Sequence, residues 1–231
     1  MKAFVSCNIS DRFEERTGID ALPLRPYRRF DEPVATHADM LICILDNNIF
    51  CYSDYRSDNK EIFDLAASEG YNIIECEPPA SAKYPYDIGL NVLVIGKRIF
   101  ARKDSIAKRL YDYAVSHGYE IVDVRQGYAC CTTLVLDENN VVTGDLSICS
   151  ALERYGINVL LINEASIRLT GYKYGFIGGS TFVKNNDVFF FGDPDTLDES
   201  DRIKGMIKAL CMEEISILSG EVFDFGGVKL L

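Results

Sequence analysis

The sequence lacks the ligands of a structural metal site. It contains only two histidines, and its eight cysteines are scattered without a Cys-x-x-Cys pair. Structural zinc sites draw on closely spaced cysteine and histidine, so such a site is not expected. The cysteines lie mostly among apolar neighbours, a pattern typical of buried, reduced thiols in a cytoplasmic protein. We therefore expect no metal, no cofactor and a cytoplasmic location.

Long apolar runs and a basic face are missing as well. No uninterrupted apolar stretch is long enough to span a bilayer, and acidic residues follow the first residues too soon for a signal-peptide core. The formal net charge of -11 disfavours a protein that binds the nucleic-acid backbone, because such proteins need clustered Lys and Arg. The same charge suits a small cationic ligand. We expect neither a membrane nor a nucleic-acid partner, and the oligomeric state stays open.

A β-hairpin pattern recurs four times along the 231 residues. It is clearest where the β-rich run Thr132 to Leu136 meets a second run, Val141 to Thr143, across a polar Asp-Glu-Asn-Asn turn. Similar hairpins begin at Met40, Leu90 and Ser180. Each is followed by an amphipathic helix and a β-rich strand, and three of the four helices end in glycine. The repeat predicts modules of strand, strand, helix and strand.

The two ends of the chain supply the parts of a fifth module. Residues 16–24 repeat the helix end and third strand, residues 224–231 resemble the start of the fourth hairpin, and Lys2 to Ser6 would be the missing second strand. If the last strand pairs with the first, five modules close a ring and leave no open sheet edge there. The sequence therefore predicts an α/β fold, a five-module ββαβ propeller closed by pairing of the N- and C-terminal strands. We expect one domain over residues 1–231, because modules of this size bury little surface alone.

Five such modules closed by the termini resemble the pentein, or α/β-propeller, superfamily of guanidino-group-modifying enzymes. The superfamily includes arginine deiminases, agmatine deiminases, amidinotransferases and dimethylarginine dimethylaminohydrolases. The resemblance extends over essentially the whole chain, and the sequence is most similar to an uncharacterised bacterial branch. It implies a nucleophilic cysteine, a histidine often followed two residues later by an acid, and carboxylates that hold the guanidinium.

Two short elements resemble those catalytic motifs. His37-Ala-Asp39 is similar to the His-x-Asp element, and Cys130-Cys131-Thr132 to the Cys-x-Ser/Thr around the family nucleophile. The sequence departs from the family in one respect, since the final module, where the nucleophile usually lies, has no cysteine after Gly226-Gly227. If the N- and C-termini lie at a different position in the ring than in those families, the nucleophile falls in the middle of the sequence.

The choice between the two cysteines depends on strand parity. His37 and Asp39 are two residues apart on a predicted strand, so they share one face, and the hairpin alignment places Cys130 at the position of Asp39. We therefore prefer Cys130 as the nucleophile and keep Cys131 as the alternative, because a bulge near the strand start would reverse the order.

Carboxylates and glycines near the module starts are candidate substrate-binding groups. Asp87 and Asp224, with Asp39, could bind a guanidinium, whose planar donors match a carboxylate. Gly178 and Gly179 could form an anion nest or let a ligand approach the backbone, but close packing at the axis is the preferred explanation.

The leading hypothesis is a cysteine-dependent hydrolase, deiminase or amidinotransferase-like enzyme acting on a guanidine or amidine compound. A thiolate beside an imidazole would attack the guanidinium carbon. The alternative is a non-catalytic pentein used for binding or as a scaffold, as in the ribosome anti-association factors, because a fold does not determine a function.

Overall fold

The computed structural model of the protein describes all residues from 1 to 231 and contains fifteen strands in five three-stranded sheets. In chain order the strands are β1 (Lys2–Ser6), β2 (Asp20–Leu24), β3 (Ile42–Leu45), β4 (Asn48–Tyr52), β5 (Asn72–Cys76), β6 (Leu93–Ile95), β7 (Arg98–Ala101), β8 (Glu120–Asp123), β9 (Thr133–Asp137), β10 (Asn140–Thr143), β11 (Asn158–Leu161), β12 (Thr181–Lys184), β13 (Asp187–Phe190), β14 (Glu213–Ser216) and β15 (Lys229–Leu230). The α-helices are α1 (Ser10–Thr17), α2 (Ala38–Leu41), α3 (Ser53–Asp58), α4 (Lys60–Ser68), α5 (Lys108–Ser116), α6 (Leu146–Glu153) and α7 (Ser200–Ala209), with 3-10 turns at Glu32–Val34, Lys103–Ser105 and Pro194–Thr196.

The sheets confirm the predicted modules. In four of the five sheets the first two strands form an antiparallel hairpin, and the third strand runs parallel to the second after a helical crossover. We number the modules 1 to 4 by the sheets β3-β4-β5, β6-β7-β8, β9-β10-β11 and β12-β13-β14, and call β15-β1-β2 module 5.

The chain ends pair as predicted. Strand β15 runs antiparallel to β1, with Ala3 opposite Leu230 and Phe4 opposite Lys229, and β2 is parallel to β1. The N-terminal strand is thus the middle strand of module 5. Phe4 packs into one apolar cluster, and Ala3 and Val5 pack into another, so residues 3–6 are fully buried.

The helices pack one apolar stripe onto their sheets. In α5 the buried residues Leu110 and Ala114 are four apart, and in α7 Ile203 and Ile207 have the same spacing. Gly118, just beyond α5, has the left-handed φ of 75° that glycine adopts without strain. Module 4 lacks this glycine, and there Cys211 adopts a φ of 57° after α7. None of the helices combines the length and apolar character that a transmembrane span requires.

The residues before the hairpins form helical turns, which corrects one expectation. His37 precedes the short helix α2, and the backbone N–H of Leu41 donates to the His37 carbonyl. In the same way the Thr132 N–H donates to the Tyr128 carbonyl, so the strand of module 3 begins only at Thr133. The prediction that His37 and Asp39 share a strand face is therefore wrong, and the parity argument for Cys130 no longer applies.

Candidate active site

Five turns meet at the centre of the ring through a circuit of hydrogen bonds. The Asp39 N–H of module 1 donates to the Gly226 carbonyl of module 5 at 3.0 Å, and the Gly227 N–H donates to the Gly179 carbonyl of module 4 at 2.7 Å. The Gly179 N–H in turn donates to the Cys131 carbonyl of module 3 at 3.0 Å. These bonds hold the candidate site residues of four modules together.

The side chain of Asn91 completes the circuit in module 2. Its Oδ1 accepts the Cys130 N–H at 2.9 Å and the Cys131 N–H at 3.4 Å, while its Nδ2 donates to the Asp39 carbonyl at 3.1 Å. Nδ2 also lies 2.9 Å from Sγ of Cys131. The residue is 1% exposed, so these bonds are shielded from water. The sequence contained a signal for this residue. In the hairpin alignment Asn91 is equivalent to Leu41, so a polar residue stands at a position that is apolar in module 1.

One cavity of about 230 Å³ brings together three of the predicted site residues, and we call it the His37 cavity. His37, Cys131 and Asp224 all line it, and each is at least 96% buried. Nδ1 of His37 lies 3.7 Å from Oδ1 of Asp224. The cavity therefore combines a thiol, an imidazole and a carboxylate, the groups that a cysteine-dependent hydrolase uses.

The structure separates the two adjacent cysteines. Cys130 lines a second cavity of about 310 Å³, together with Asp39 and Lys229, which we call the Cys130 cavity. There Nζ of Lys229 donates to Sγ of Cys130 at 3.1 Å. Because the segment is a turn, consecutive side chains point to different cavities, and Cys131 rather than Cys130 shares the cavity of His37. Lys229 was not singled out in the sequence, because its pairing with Cys130 depends on closure of the ring.

The buried carboxylates are incompletely satisfied. Neither side-chain oxygen of Asp39 accepts a hydrogen bond of normal geometry. Burial together with the nearby Asp224 raises the Asp39 pKa, while His37 and the Cys131 thiol oppose that rise. Asp224 accepts the Phe176 N–H and the Gly226 N–H, each at 2.9 Å. Burial nevertheless raises the Asp224 pKa above its usual value, against the opposing effect of His37. The site thus contains buried acid groups with unused acceptor capacity.

Asp87 lies outside both cavities but contacts the wall of the His37 cavity. Its Oδ2 accepts the hydroxyl of Tyr128 at 2.8 Å, whereas Oδ1 has no partner. Burial raises the Asp87 pKa, and the Tyr128 hydroxyl opposes that rise. Asp87 is therefore placed to orient a cavity tyrosine.

The predicted glycines pack closely against the other turns. A Cβ atom on Gly178 would lie 2.4 Å from the Cys130 carbonyl oxygen, and one on Gly179 would lie 2.0 Å from Oδ1 of Asp224. The Gly179 N–H is already engaged in the circuit. Close approach of the turns accounts for both glycines, and Gly178 additionally lines the Cys130 cavity.

The surroundings of both thiols favour the protonated form. Burial raises the Cys131 pKa well above its ordinary value, and the negative charges of Asp39 and Asp224 raise it further. Burial also raises the Cys130 pKa, although the Lys229 ammonium opposes this. Cys131 would therefore become a thiolate more readily once a cation entered the site.

Comparison with known proteins gives a family and a fold. A model described as "Family of unknown function (DUF6873)" matches residues 4–229. No curated protein matches the sequence.

Among solved structures, DDAH from Pseudomonas aeruginosa complexed with citrulline is similar, with 12% identity over 93% of this chain and 91% of that chain and a TM-score of 0.58. An amidinotransferase from Microseira wollei in the saxitoxin biosynthetic pathway has 10% identity over 97% and 93% of the two chains and a TM-score of 0.59. The agmatine deiminase of C. jejuni has 10% identity over 93% and 74% and a TM-score of 0.53. At this identity the likeness concerns the fold, and it confirms the predicted pentein propeller.

Proposed function

The chain belongs to this family of unknown function, and we propose that it is a cysteine-dependent enzyme that acts on a small guanidine or amidine compound. The observation that supports this most strongly is the cavity shared by the thiol of Cys131, the imidazole of His37 and the carboxylate of Asp224. Structural neighbours include a DDAH complexed with citrulline, an amidinotransferase and an agmatine deiminase, which all handle guanidino or ureido compounds.

The carboxylates would bind the cationic group of the substrate. A guanidinium presents planar N–H donors that match carboxylate oxygens, and Asp224 is close enough to His37 to act beside it. Asp39 has two oxygens without partners and lies within electrostatic range of both Cys131 and Asp224. A cation bound at Asp224 in the His37 cavity would also offset the charge of Asp39, which lines the neighbouring Cys130 cavity, and would thereby replace solvation that burial has removed.

The bound cation would also activate the nucleophile. The Cys131 pKa is raised in part by the two carboxylates, so a guanidinium that neutralises them removes this effect and favours the thiolate. The enzyme would thus generate its reactive thiolate mainly when substrate is present.

The reaction would proceed in two stages. In the first, the Cys131 thiolate forms a bond to the guanidinium carbon, and the bond from that carbon to one nitrogen breaks. His37 would deliver the proton that the departing ammonia or amine requires. In the second, water adds to the carbon and the carbon–sulfur bond breaks, which returns the thiol and leaves a urea-type product. Transfer to an amine instead of water would give an amidinotransferase.

The test is a comparison of the two adjacent cysteines. We expect Cys131→Ser to lower turnover of a reactive guanidine by about 10³-fold or more, and Cys130→Ser to retain most of it. Release of ammonia or amine would be measured across a panel of guanidines and amidines, and mass spectrometry of quenched protein would locate a covalent adduct. Loss of activity only in Cys130→Ser would move the nucleophile to Cys130. Unchanged turnover in both variants would exclude a cysteine mechanism.

A second candidate is a pentein that binds a cationic ligand without converting it. The raised Cys131 pKa favours this alternative, because it disfavours the thiolate that a nucleophile requires. The same panel distinguishes the two: a binding protein would show a ligand-dependent rise in melting temperature, no product and no adduct in the wild-type chain.

A further inference from the structure

The mouth of the His37 cavity is aromatic. Tyr172 and Tyr174 line it and are 49% and 40% exposed, so they lie where the cavity meets solvent. Deeper in the wall, the ring of Phe176 is 6.1 Å from that of Tyr174 and 6.1 Å from that of Tyr128. A ligand that enters the cavity therefore passes a continuous aromatic surface before it reaches the buried groups.

The His37 cavity has a negative charge at its floor and no buried positive charge at its mouth. The floor contains the carboxylate of Asp224, which is 4% exposed and accepts backbone N–H groups on both oxygens. No arginine lines the cavity, and its one lysine, Lys173, is exposed. An exposed ammonium contributes little to binding a carboxylate, because water screens the pair. The cavity is thus suited to a cation at one end of a ligand and to apolar surface at the other.

The volume limits the size of the ligand. About 230 Å³ is below the roughly 300 Å³ at which pockets for drug-sized molecules begin. A guanidinium with one ring or a short alkyl chain is a suitable size. A planar ring also gains from contact with Tyr128 and Phe176 beyond the area that it buries.

From these observations we infer the substrate class: the guanidinium or amidinium is attached to an apolar, preferably aromatic, group and the molecule has no carboxylate. This inference rests on the proposed function, because it assigns the tail of the same ligand. Free amino acids with a guanidino side chain are accordingly poor ligands, since their carboxylate would lie against tyrosine rings.

Two ligands that differ only in a carboxylate provide the test. Phenylguanidine and 4-guanidinobenzoate would be titrated by calorimetry into the Cys131→Ser variant, which prevents turnover, with L-arginine as a third ligand. We expect phenylguanidine to bind at least 10-fold more tightly than either acid. Tyr172→Ala should weaken phenylguanidine by roughly 3- to 10-fold. The control Tyr86→Ala, an exposed tyrosine outside the cavity, should leave its affinity unchanged.

The outcomes separate this inference from the proposed function. If either acid binds as tightly as phenylguanidine, or if Tyr172→Ala has no more effect than Tyr86→Ala, the inferred substrate class is wrong while the reaction can still be correct. If phenylguanidine is preferred but the wild-type protein never releases ammonia or amine, the class is supported and the enzyme proposal fails. If none of the three ligands binds, the inferred class is overturned.

Discussion

The amide of Asn91 bonds to both sides of the candidate site: its Oδ1 accepts the Cys130 N–H at 2.9 Å, and its Nδ2 donates to the Asp39 carbonyl at 3.1 Å. In the other modules, backbone groups make the bonds between neighbouring turns. In module 2 the hydrogen bonds to the neighbouring turns are therefore made by a side chain instead of the backbone. These bonds fix the position of the turn that contains Cys131.

Replacing this amide tests how much the circuit contributes. Asn91→Leu keeps the approximate volume but leaves the Cys130 N–H and the Asp39 carbonyl without partners, each at a cost of about 1–3 kcal/mol. We expect the free energy of unfolding to fall by about 2–4 kcal/mol in urea titrations, with turnover reduced because Cys131 moves. Asn139→Leu, in the exposed turn of the β9-β10 hairpin, should change it by less than about 0.5 kcal/mol. Equal effects of the two substitutions would contradict the structural role of Asn91.

The backbone of Gly226 passes so close to His37 that no side chain fits between them. A Cβ atom there would lie 2.3 Å from Cα and Cβ of His37, and the residue has a φ of 80°. Gly220 has a similar φ of 86° but open space around it, which makes it a matched control. We expect Gly220→Ala to cost only the backbone strain, about 1–2 kcal/mol.

Gly226→Ala should cost at least about 2 kcal/mol more than Gly220→Ala, because the clash adds to the same strain. It should also abolish ligand binding, since His37 would be displaced. Urea titrations of the two variants, measured side by side, give this difference in the free energy of unfolding. A variant at 226 as stable as the one at 220 would mean that the turns of modules 1 and 5 are farther apart than described.

Much of this architecture could be predicted because the repeat is carried by local patterns. The hairpins, the glycine-ended helices and the split fifth module all follow from residues close together in sequence, such as Gly118 after α5. Pairing of Lys2–Ser6 with the last strand followed from completing the repeat, and the pairs Ala3–Leu230 and Phe4–Lys229 confirm it.

The site was harder to predict, because it depends on the conformation of the turns. The directions of the Cys130 and Cys131 side chains depend on whether the segment is a helical turn or the start of a strand. The small residues of this segment favour neither conformation. Contacts such as that of Lys229 with Cys130 join residues 99 positions apart and follow only from the closed ring. The roles assigned to His37, Asp39, Asp87, Asp224 and both cysteines remain predictions.

The buried carboxyl group of Glu164 should make the stability of the protein depend on pH. It is 6% exposed, its Oε1 accepts the Ile177 N–H at 2.8 Å, and burial raises its pKa to about 8. Its unfolded pKa is about 4.3. Between these values the folded protein holds a proton that the unfolded chain has lost, so this residue makes stability fall as pH rises from about 4.3 to 8.

The matching variant is Glu164→Gln, which keeps an acceptor for Ile177 but cannot ionise. At pH 8 we expect it to be more stable than the wild type by on the order of 1–3 kcal/mol, with the difference vanishing near pH 4. Denaturant titrations of both proteins at several pH values would measure this. A constant difference across the pH range would show that Glu164 does not titrate in this interval.

Replacing Asp39 should change stability and ligand affinity in opposite directions. Its carboxylate is buried without a hydrogen-bond partner, and the raised pKa means that burial outweighs the attraction of His37 and Lys229. A charge held in this way destabilises the folded protein, and buried charges of this kind are typical of functional sites. Asp39→Asn should therefore raise the free energy of unfolding by about 1 kcal/mol at pH 8. The gain should shrink as the pH falls toward the unfolded pKa of about 3.9, where the wild-type carboxyl is protonated in both states.

The same substitution should weaken binding of a guanidinium by about 10-fold or more, because it removes one of the two buried negative charges that attract the cation. Asp198→Asn, at an exposed position, should alter neither property. Thermal unfolding without ligand and calorimetric titration of phenylguanidine, both on the Cys131→Ser background, would give the two quantities. Lower stability together with unchanged affinity would mean that Asp39 supports the ring of turns and that the cation is held by Asp224 without it. Higher stability with lost affinity is the combination expected of a carboxylate whose partner is the ligand.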